Sequence, residues 1–326
     1  MDYIIIDLEW NQGENTGREL PVSGIPFEII EIGAVKLDEN REYKDTFHAL
    51  IKPSLYKRLH PITKDLTGIS QDELKKGRPF KDVISDFLSW CGSGYTFCTW
   101  GSGDITELQR NMNFYGIPLL SFPVYYYDLQ KIFSIAYDDG KIRRSLEAAV
   151  EHLNIPQSQS FHRALADALY TSKIFSVLDN TIIKENYSID TYQIPYEKHN
   201  EIYAFYPLYS KYISRGFENK TKVMEDKSVT AVLCCKCGKK LKKKVKWFSS
   251  NAKTYYFLGV CPTHGWLKGK IRMKRHDSGV YYAVKTIKLT DEKGAAEIYE
   301  KQTDIRKRRR ERRKKLHSSD QNKPEC

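Results

Sequence analysis

Apolar and polar positions change period several times along the chain, and each change marks an element. Tyr3-Ile4-Ile5-Ile6-Asp7-Leu8-Glu9-Trp10 is short, β-branched and runs into acids, the pattern of a central strand whose end opens into a site. Ile29 to Leu37 and Tyr43 to Ile51 read as antiparallel partners joined by the turn formers Asp38-Glu39-Asn40. Phe80, Val83, Ile84, Phe87, Leu88 and Trp90 then recur at helical spacing, and Tyr95 to Thr99 returns to a strand. Ile105 to Tyr115 reads as a helix and Val124 to Tyr127 as a fifth strand. Ser145 to Leu153 and His162 to Leu178 are helical, with Ser145 and the Gln159-Ser160 pair as their caps. Strands first and helices later predict an α/β fold, a mixed sheet covered by helices.

Residues 183–228 lose this periodicity among Pro195, Pro207, Gly216 and many tyrosines, and read as a connector with some local structure after a first domain over 1–182. From Val229 the period shortens. Val229 to Cys234, Lys242 to Phe248, Lys253 to Val260, Leu267 to Lys274 and Gly279 to Leu289 predict short strands in a small β-rich domain over 229–290. Residues 291–326 form a basic tail, helical or disordered, that includes the run Arg308-Arg309-Arg310.

Charge sharpens that division. Residues 1–200 hold 21 Lys+Arg against 28 Asp+Glu, and 201–326 hold 32 against 13, a balance of −7 and +19 within the net +12. An acidic body with a basic appendage points to a polyanionic partner, most often nucleic acid. No apolar stretch approaches the roughly 18 residues of a membrane-spanning helix. The first residues meet acids where a signal peptide continues its apolar core, so the expected setting is the cytoplasm, without a membrane partner. Seven cysteines, three of them bunched at Cys234, Cys235 and Cys237, fit reduced thiols with one metal site rather than a secreted disulfide framework.

Asp7 and Glu9 are two apart on a strand, so both side chains turn to one face, which suits a hard divalent cation. Asp104 follows a predicted strand in Trp100-Gly101-Ser102-Gly103-Asp104. Asp167 stands among Ala164, Leu165, Ala166 and Ala168, where a charge needs a partner if buried. His162 lies at the start of that helix. Trp10 alternates to the face opposite Asp7 and Glu9 and is not taken as a site residue.

These residues, in this order, resemble the DEDD superfamily of 3′-to-5′ exonucleases in its histidine-containing subgroup. Asp7-x-Glu9 is similar to the first motif, Asp104 behind Trp100-Gly101 to the second, and Phe161-His162-Arg163-Ala164-Leu165-x-Asp167-Ala168 to the third. Glu31-Ile32-Gly33-Ala34-Val35 and Leu66-Thr67-Gly68-Ile69 fit the flanks, and the resemblance covers residues 1 to about 180. A lone D-x-E is weak, but the ordered set of five residues is specific. The resemblance implies an RNase H-like sheet and two Mg²⁺ or Mn²⁺ ions about 3.5–4 Å apart. Asp7 would bridge them, Glu9 and Asp167 would complete one or the other, and Asp104 would act on the second, partly through water. His162 would be the general base. It also implies single-stranded 3′ ends as substrate, RNA favoured by the Trp100-Gly101-x-x-Asp104 and Tyr127-Asp128-Leu129-Gln130 wording, and the homodimers that several relatives form. A DNA-directed repair or proofreading exonuclease, and a non-catalytic regulator like the sporulation inhibitors of similar fold, are the competing readings.

In the basic half, Cys234-x-x-Cys237-Gly and Cys261-Pro-Thr-His264-Gly have the arrangement of a zinc ribbon, two tight knuckles presenting four ligands to one structural Zn²⁺. Cys235 competes with Cys234 for the first place. Lysines between the knuckles, among them Lys240, Lys243 and Lys244, are interleaved with Trp247, Tyr255, Tyr256 and Phe257, a mixture suited to phosphate contact and base stacking. With Arg308, Arg309 and Arg310 they are the expected nucleic-acid contacts, against the plainer reading of a charged strand edge that resists aggregation.

Overall fold

The computed structural model describes residues 1–13, 24–249 and 251–320, with side chains of the last helix as far as Glu311. The terminal Cys326 lies outside the described residues. The chain divides into two compact units, Met1–Gln193 and Ile194–Cys326.

In the first unit the elements run β1 (Asp2–Gln12), β2 (Phe27–Leu37), β3 (Tyr43–Leu50), α1 (Pro61–Thr67), α2 (Gln71–Lys75), α3 (Phe80–Cys91), β4 (Tyr95–Thr99), α4 (Asp104–Phe114), β5 (Tyr125–Asp128), α5 (Leu129–Tyr137), α6 (Leu146–His152), α7 (Ala164–Val177), α8 (Asn180–Glu185) and β6 (Ser188–Ile189). They build the expected mixed sheet, ordered β3-β2-β1-β4-β5-β6. β1 pairs antiparallel with β2 and parallel with β4, so it is central and covered on both faces. One face carries Ile4, Ile6, Leu8 and Trp10 against Val83, Ile84 and Phe87 of α3 and Leu108 and Met112 of α4. The other carries Ile5, Val35 and Cys98 against Ile132 and Phe133 of α5 and Ile174 and Phe175 of α7. Burial of such a run on both sides is what fixes β1 as the sheet's spine.

Local chemistry sets the ends. Ser145 accepts the Ala148 N–H and caps α6 as expected. Gln159-Ser160 does not cap α7: Arg163 is its N-cap residue, without a side-chain bond of its own, and the Ala164 N–H is taken by the Glu31 carboxylate of β2. α5 was not anticipated, although Asp128 caps it by accepting the Lys131 N–H, and Leu129, Ile132 and Phe133 repeat at i, i+3 and i+4.

In the second unit come β7 (Ile202–Phe205), β8 (Tyr209–Ile213), α9 (Lys220–Glu225), α10 (Lys227–Thr230), β9 (Lys242–Ser249), β10 (Thr254–Cys261), β11 (Gly265–Arg275), β12 (Tyr281–Leu289) and α11 (Glu292–Asp320). The sheet is ordered β7-β8-β12-β11-β10-β9. The stretch expected as a connector is therefore folded: β6 pairs with β5 in the first sheet, and β7 and β8 form a hairpin on β12. Ile202 and Ala204 are buried while Tyr203 and Phe205 face outward, an alternation masked in the sequence by the surrounding tyrosines. Val229 to Cys234 is not a strand, because Asp226 takes the Ser228 and Val229 N–H groups and starts α10 instead. The basic tail is helical through Asp320, begun by the Asp291 carboxylate on the Gly294 N–H and held by Ala295 and Ile298 against Val245 and Leu258. No helix among the described residues is long and apolar enough to cross a membrane.

α7 approaches β2 at Gly33 so closely that a Cβ there would overlap the Ala164–Leu165 peptide. Gly33→Ala is therefore expected to cost about 1–3 kcal/mol through overpacking against rigid backbone. Thermal denaturation checks it, and an unchanged melting temperature would show that the helix can give way at no cost.

Candidate active site and metal-ligand clusters

The site grows out of the end of β1. Strand alternation turns Asp7 and Glu9 away from the Ile4-Ile6-Leu8 face and toward α7. In register, Asp7 lies opposite Gly33 and Glu9 opposite Glu31. Because Gly33 lets α7 sit directly on β2, Asp167 in the first turn of α7 comes down beside both. Carboxylate oxygens of Asp7, Glu9 and Asp167 lie within 4.8 Å of one another. One Asp167 oxygen, Oδ2, accepts the His162 N–H at 3.2 Å, while Oδ1 is buried without a hydrogen-bond partner. A buried carboxylate oxygen lacking a donor is costly, and a cation is the group that would relieve it.

Asp104, at the start of α4, is buried but stands beside this trio rather than in it, its carboxyl held by backbone N–H groups including that of Leu8. The charges of Asp104 nevertheless act on both Asp7 and Glu9. His162 is exposed, two residues ahead of α7, with φ +64°. Its left-handed backbone is uncommon for a residue with a Cβ, and here it aims the N–H at Asp167.

Burial and mutual repulsion dominate the electrostatics. Asp7 is pushed well above the usual carboxylate range by burial and then by Asp104, Asp167 and Glu9. Burial, followed by Asp167 and Glu31, raises Glu9 to about 8. Asp104 rises to about 7 through burial, partly offset by its backbone hydrogen bonds, and Asp167 to about 6 through burial, partly offset by the His162 N–H. Glu31 behaves in the opposite way. Burial raises it, but hydrogen bonds from His48, Arg163 and the Ala164 N–H outweigh that and hold it at about 2. Its oxygens lie 2.7 Å from His48 Nε2 and 2.8 Å from Arg163 Nη2. Glu31 thus ties β2, β3 and the start of α7 together as a fixed anion, a role the sequence reading missed. Only its place between Ile30 and Ile32 in a largely apolar strand hinted at it.

Residues 4–175 match the RNase T model of the exonuclease family, more than half of the chain. The chain belongs to this exonuclease family. The exonuclease is therefore a hydrolase. A probable 3′-5′ exonuclease, KapD of Bacillus subtilis (strain 168), is 29% identical over 177 residues, which cover 54% of this chain and 83% of that protein. ERI1 exoribonuclease 2 of Xenopus laevis is 26% identical over 234 residues, 61% of this chain but 32% of the relative. The nuclease domain of 3′hExo, solved with rAMP, matches 54% of this chain and 90% of its own at 24% identity and a TM-score of 0.47. The family match falls wholly within the first unit of the exonuclease.

The second unit brings Cys234, Cys237, Cys261 and His264 together. Cys234 Sγ is 3.5 Å from His264 Nδ1, Cys237 Sγ 3.7 Å from Cys261 Sγ, and Cys261 Sγ 3.7 Å from His264 Nδ1. Ligands about 2.0–2.3 Å from one tetrahedral ion stand roughly 3.5–3.8 Å apart, so the edges fit. Gly238 and Gly265, at φ +68° and +72°, supply the left-handed turns of the two knuckles. Cys235 turns into the core beside Val232 and Phe257 and is not part of the cluster.

Lys240, Lys243 and Lys244 are exposed. Arg309 donates to the Ser249 carbonyl, and Arg308 lines a groove with Tyr256, Glu300 and Asp304, so part of the arginine run serves its own unit. Of the four aromatics expected to stack on bases, Phe257 is fully buried, Trp247 packs on it while donating to the Thr230 carbonyl, and Tyr255 packs against the core, whereas Tyr256 lines the groove beside Lys301.

Raised carboxyls make the first site pH-sensitive. The folded, cation-free protein holds protons that the unfolded chain has released, from ordinary values of 3.8 and 4.5 up to about 8. The site's stability contribution is thus present below about pH 4 and lost as pH rises toward 8. The melting temperature of cation-free protein should fall between pH 5 and 8, and Mg²⁺ or Mn²⁺ should raise it more at pH 8 than at pH 5. A cation effect equal at both pH values would contradict this account.

Proposed function

We propose that the chain is a divalent-cation-dependent 3′-to-5′ exonuclease releasing nucleoside monophosphates from single-stranded nucleic acid, RNA in preference to DNA. The observation that carries the reading is the convergence of Asp7, Glu9 and Asp167, with an unsatisfied Asp167 oxygen, at the end of the central strand. An all-oxygen donor set suits Mg²⁺ or Mn²⁺ rather than zinc. Two such ions, when bound, supply charge neutralisation and Lewis-acid activation for phosphodiester hydrolysis. Asp7, Glu9 and Asp167 hold that charge in place, and Asp104 adds a fourth carboxylate beside them. His162, exposed and fixed by its N–H on Asp167, accepts the proton of the attacking water. Preference for RNA is supported by relatives named exoribonucleases, ERI1 exoribonuclease 2 of Xenopus laevis among them. PolC-type DNA polymerase III of Thermotoga petrophila, 29% identical over 178 residues, makes DNA the necessary comparison.

The four-ligand cluster in the second unit is read as a structural Zn²⁺ site, closed by two cysteines from one knuckle and a cysteine and histidine from the other. That zinc would hold together a sheet end whose own core, around Val232, Leu241 and Phe257, is small.

Two outcomes are expected. On 5′-labelled single-stranded RNA and DNA, cation-dependent shortening from the 3′ end should be faster on RNA and abolished by Asp7→Ala. His162→Ala should lower turnover on the order of 10²-fold while cation-induced stabilisation persists. Retained turnover in His162→Ala removes the base assignment, and shortening that survives Asp7→Ala removes the site itself. For the second unit, elemental analysis should find one zinc per chain, lost in Cys237→Ser with a lowered melting temperature. A zinc-free native protein of unchanged stability rules the site out.

A further inference from the structure

Between Lys227 and His276 the chain has 14 Lys+Arg and no Asp or Glu, an acid-free stretch of fifty residues. The structure concentrates its densest part in one place. Lys236, Lys239 and Lys240 are exposed on the first cysteine knuckle, and Lys242, Lys243, Lys244 and Lys246 on β9, the last strand of the sheet. Two irregularities in the β9–β10 ladder insert extra residues into β9 and turn its lysines outward. The β9 lysines span about 13 Å at strand rise. The acids of α11, which packs on Val245 of β9, include Glu297, Glu300 and Asp304, and these line a groove with Tyr256 and Lys301.

Guarding a strand edge accounts for charges on β9 itself. It does not account for Lys236, Lys239 and Lys240, which sit on the knuckle. Seven like charges in eleven residues repel one another, and no carboxylate of the stretch relieves them. A polyanion with regularly spaced charges does so. Of the aromatics interleaved with these lysines, Trp247, Tyr255 and Phe257 pack into the core and Tyr256 lies in the groove of α11 beside Lys301.

We infer that the knuckle and β9 form a phosphate-tracking band that holds single-stranded nucleic acid through its backbone alone, without base contacts. The inference rests on the reading of the chain as an enzyme of nucleic acid. It assigns the second unit the sequence-indifferent, salt-sensitive share of binding.

The test measures binding of U20, A20 and dT20 to the full-length, zinc-loaded Asp7→Ala protein between 50 and 200 mM salt, taken as roughly the range over which such contacts titrate. The three oligonucleotides should bind within about threefold of one another. With Lys240, Lys243, Lys244 and Lys246→Gln, the slope of log affinity against log salt should fall by about 3, at about 0.7 per lost phosphate contact. Arginine at the same four places should restore it. Lys64, Lys76, Lys81 and Lys184→Gln, an equal change of net charge on the first unit, should leave the slope unchanged. Unchanged zinc content and melting temperature establish that the sheet is intact. An unaltered slope in the first variant, an equal loss in the control, or a tenfold preference among bases overturns the inference. Cleavage of U20 by the unaltered protein with Mg²⁺ is read in parallel. Cleavage with no slope change removes the band and leaves the exonuclease, whereas a slope change with no cleavage does the reverse.

Discussion

Three carboxylates whose oxygens lie within 4.8 Å of one another repel, and burial at the end of a sheet raises that repulsion. Left to itself such a cluster moves apart or takes up protons, and the raised carboxyls of Asp7, Glu9 and Asp167 record the second response. The surrounding fold prevents the first. β1 is buried on both faces and cannot shift, because Ile4 and Ile6 on one side and Ile5 on the other are each locked into a separate core. Gly33 removes the side chain that would hold α7 off β2, and Glu31 clamps the start of α7 through Arg163 and the Ala164 N–H and ties it to β3 through His48. Glu31 is the acid whose donors outweigh its burial, whereas in Asp7, Glu9, Asp104 and Asp167 burial prevails and the carboxyls stay raised. That contrast separates a structural carboxylate from those available to a cation.

The second unit meets a like-charge problem of opposite sign. Its lysines crowd onto a knuckle and an edge strand, between the cluster of Cys234, Cys237, Cys261 and His264 at one end and the packing of α11 at the other. In both units the scaffold keeps like charges close, and the proposed ligands supply the opposite charge: divalent cations for the acids, a phosphate backbone for the lysines.

Much of this was legible from the chain. The period-2 rule placed Asp7 and Glu9 on one face, helical spacing found α3, α4, α6 and α7, and the Cys-x-x-Cys and Cys-x-x-His pairs named the four ligands that converge. Other elements were hidden where local signals conflicted. The β7–β8 hairpin lies among tyrosines and Pro207, and its pairing partner, β12, is some seventy residues away, so nothing nearby announces it. α10 displaced a predicted strand because a single side-chain cap at Asp226 outweighed a run of β-branched residues.

What the sequence determined by itself was therefore the inventory of chemistry: which acids, which histidine, which sulfur ligands and where the positive charge is heaped, because residue type and short-range period suffice to state these. Only the tertiary structure decided which of them meet. It put Asp104 beside the acidic trio rather than in it, turned Cys235 away from the ligand cluster, recruited Glu31 as the clamp and withdrew Trp247 and Phe257 from the surface. Each of these outcomes depends on the register between strands and on how closely a helix approaches a sheet. Those are settled by packing among residues far apart in the chain, and no local pattern encodes them.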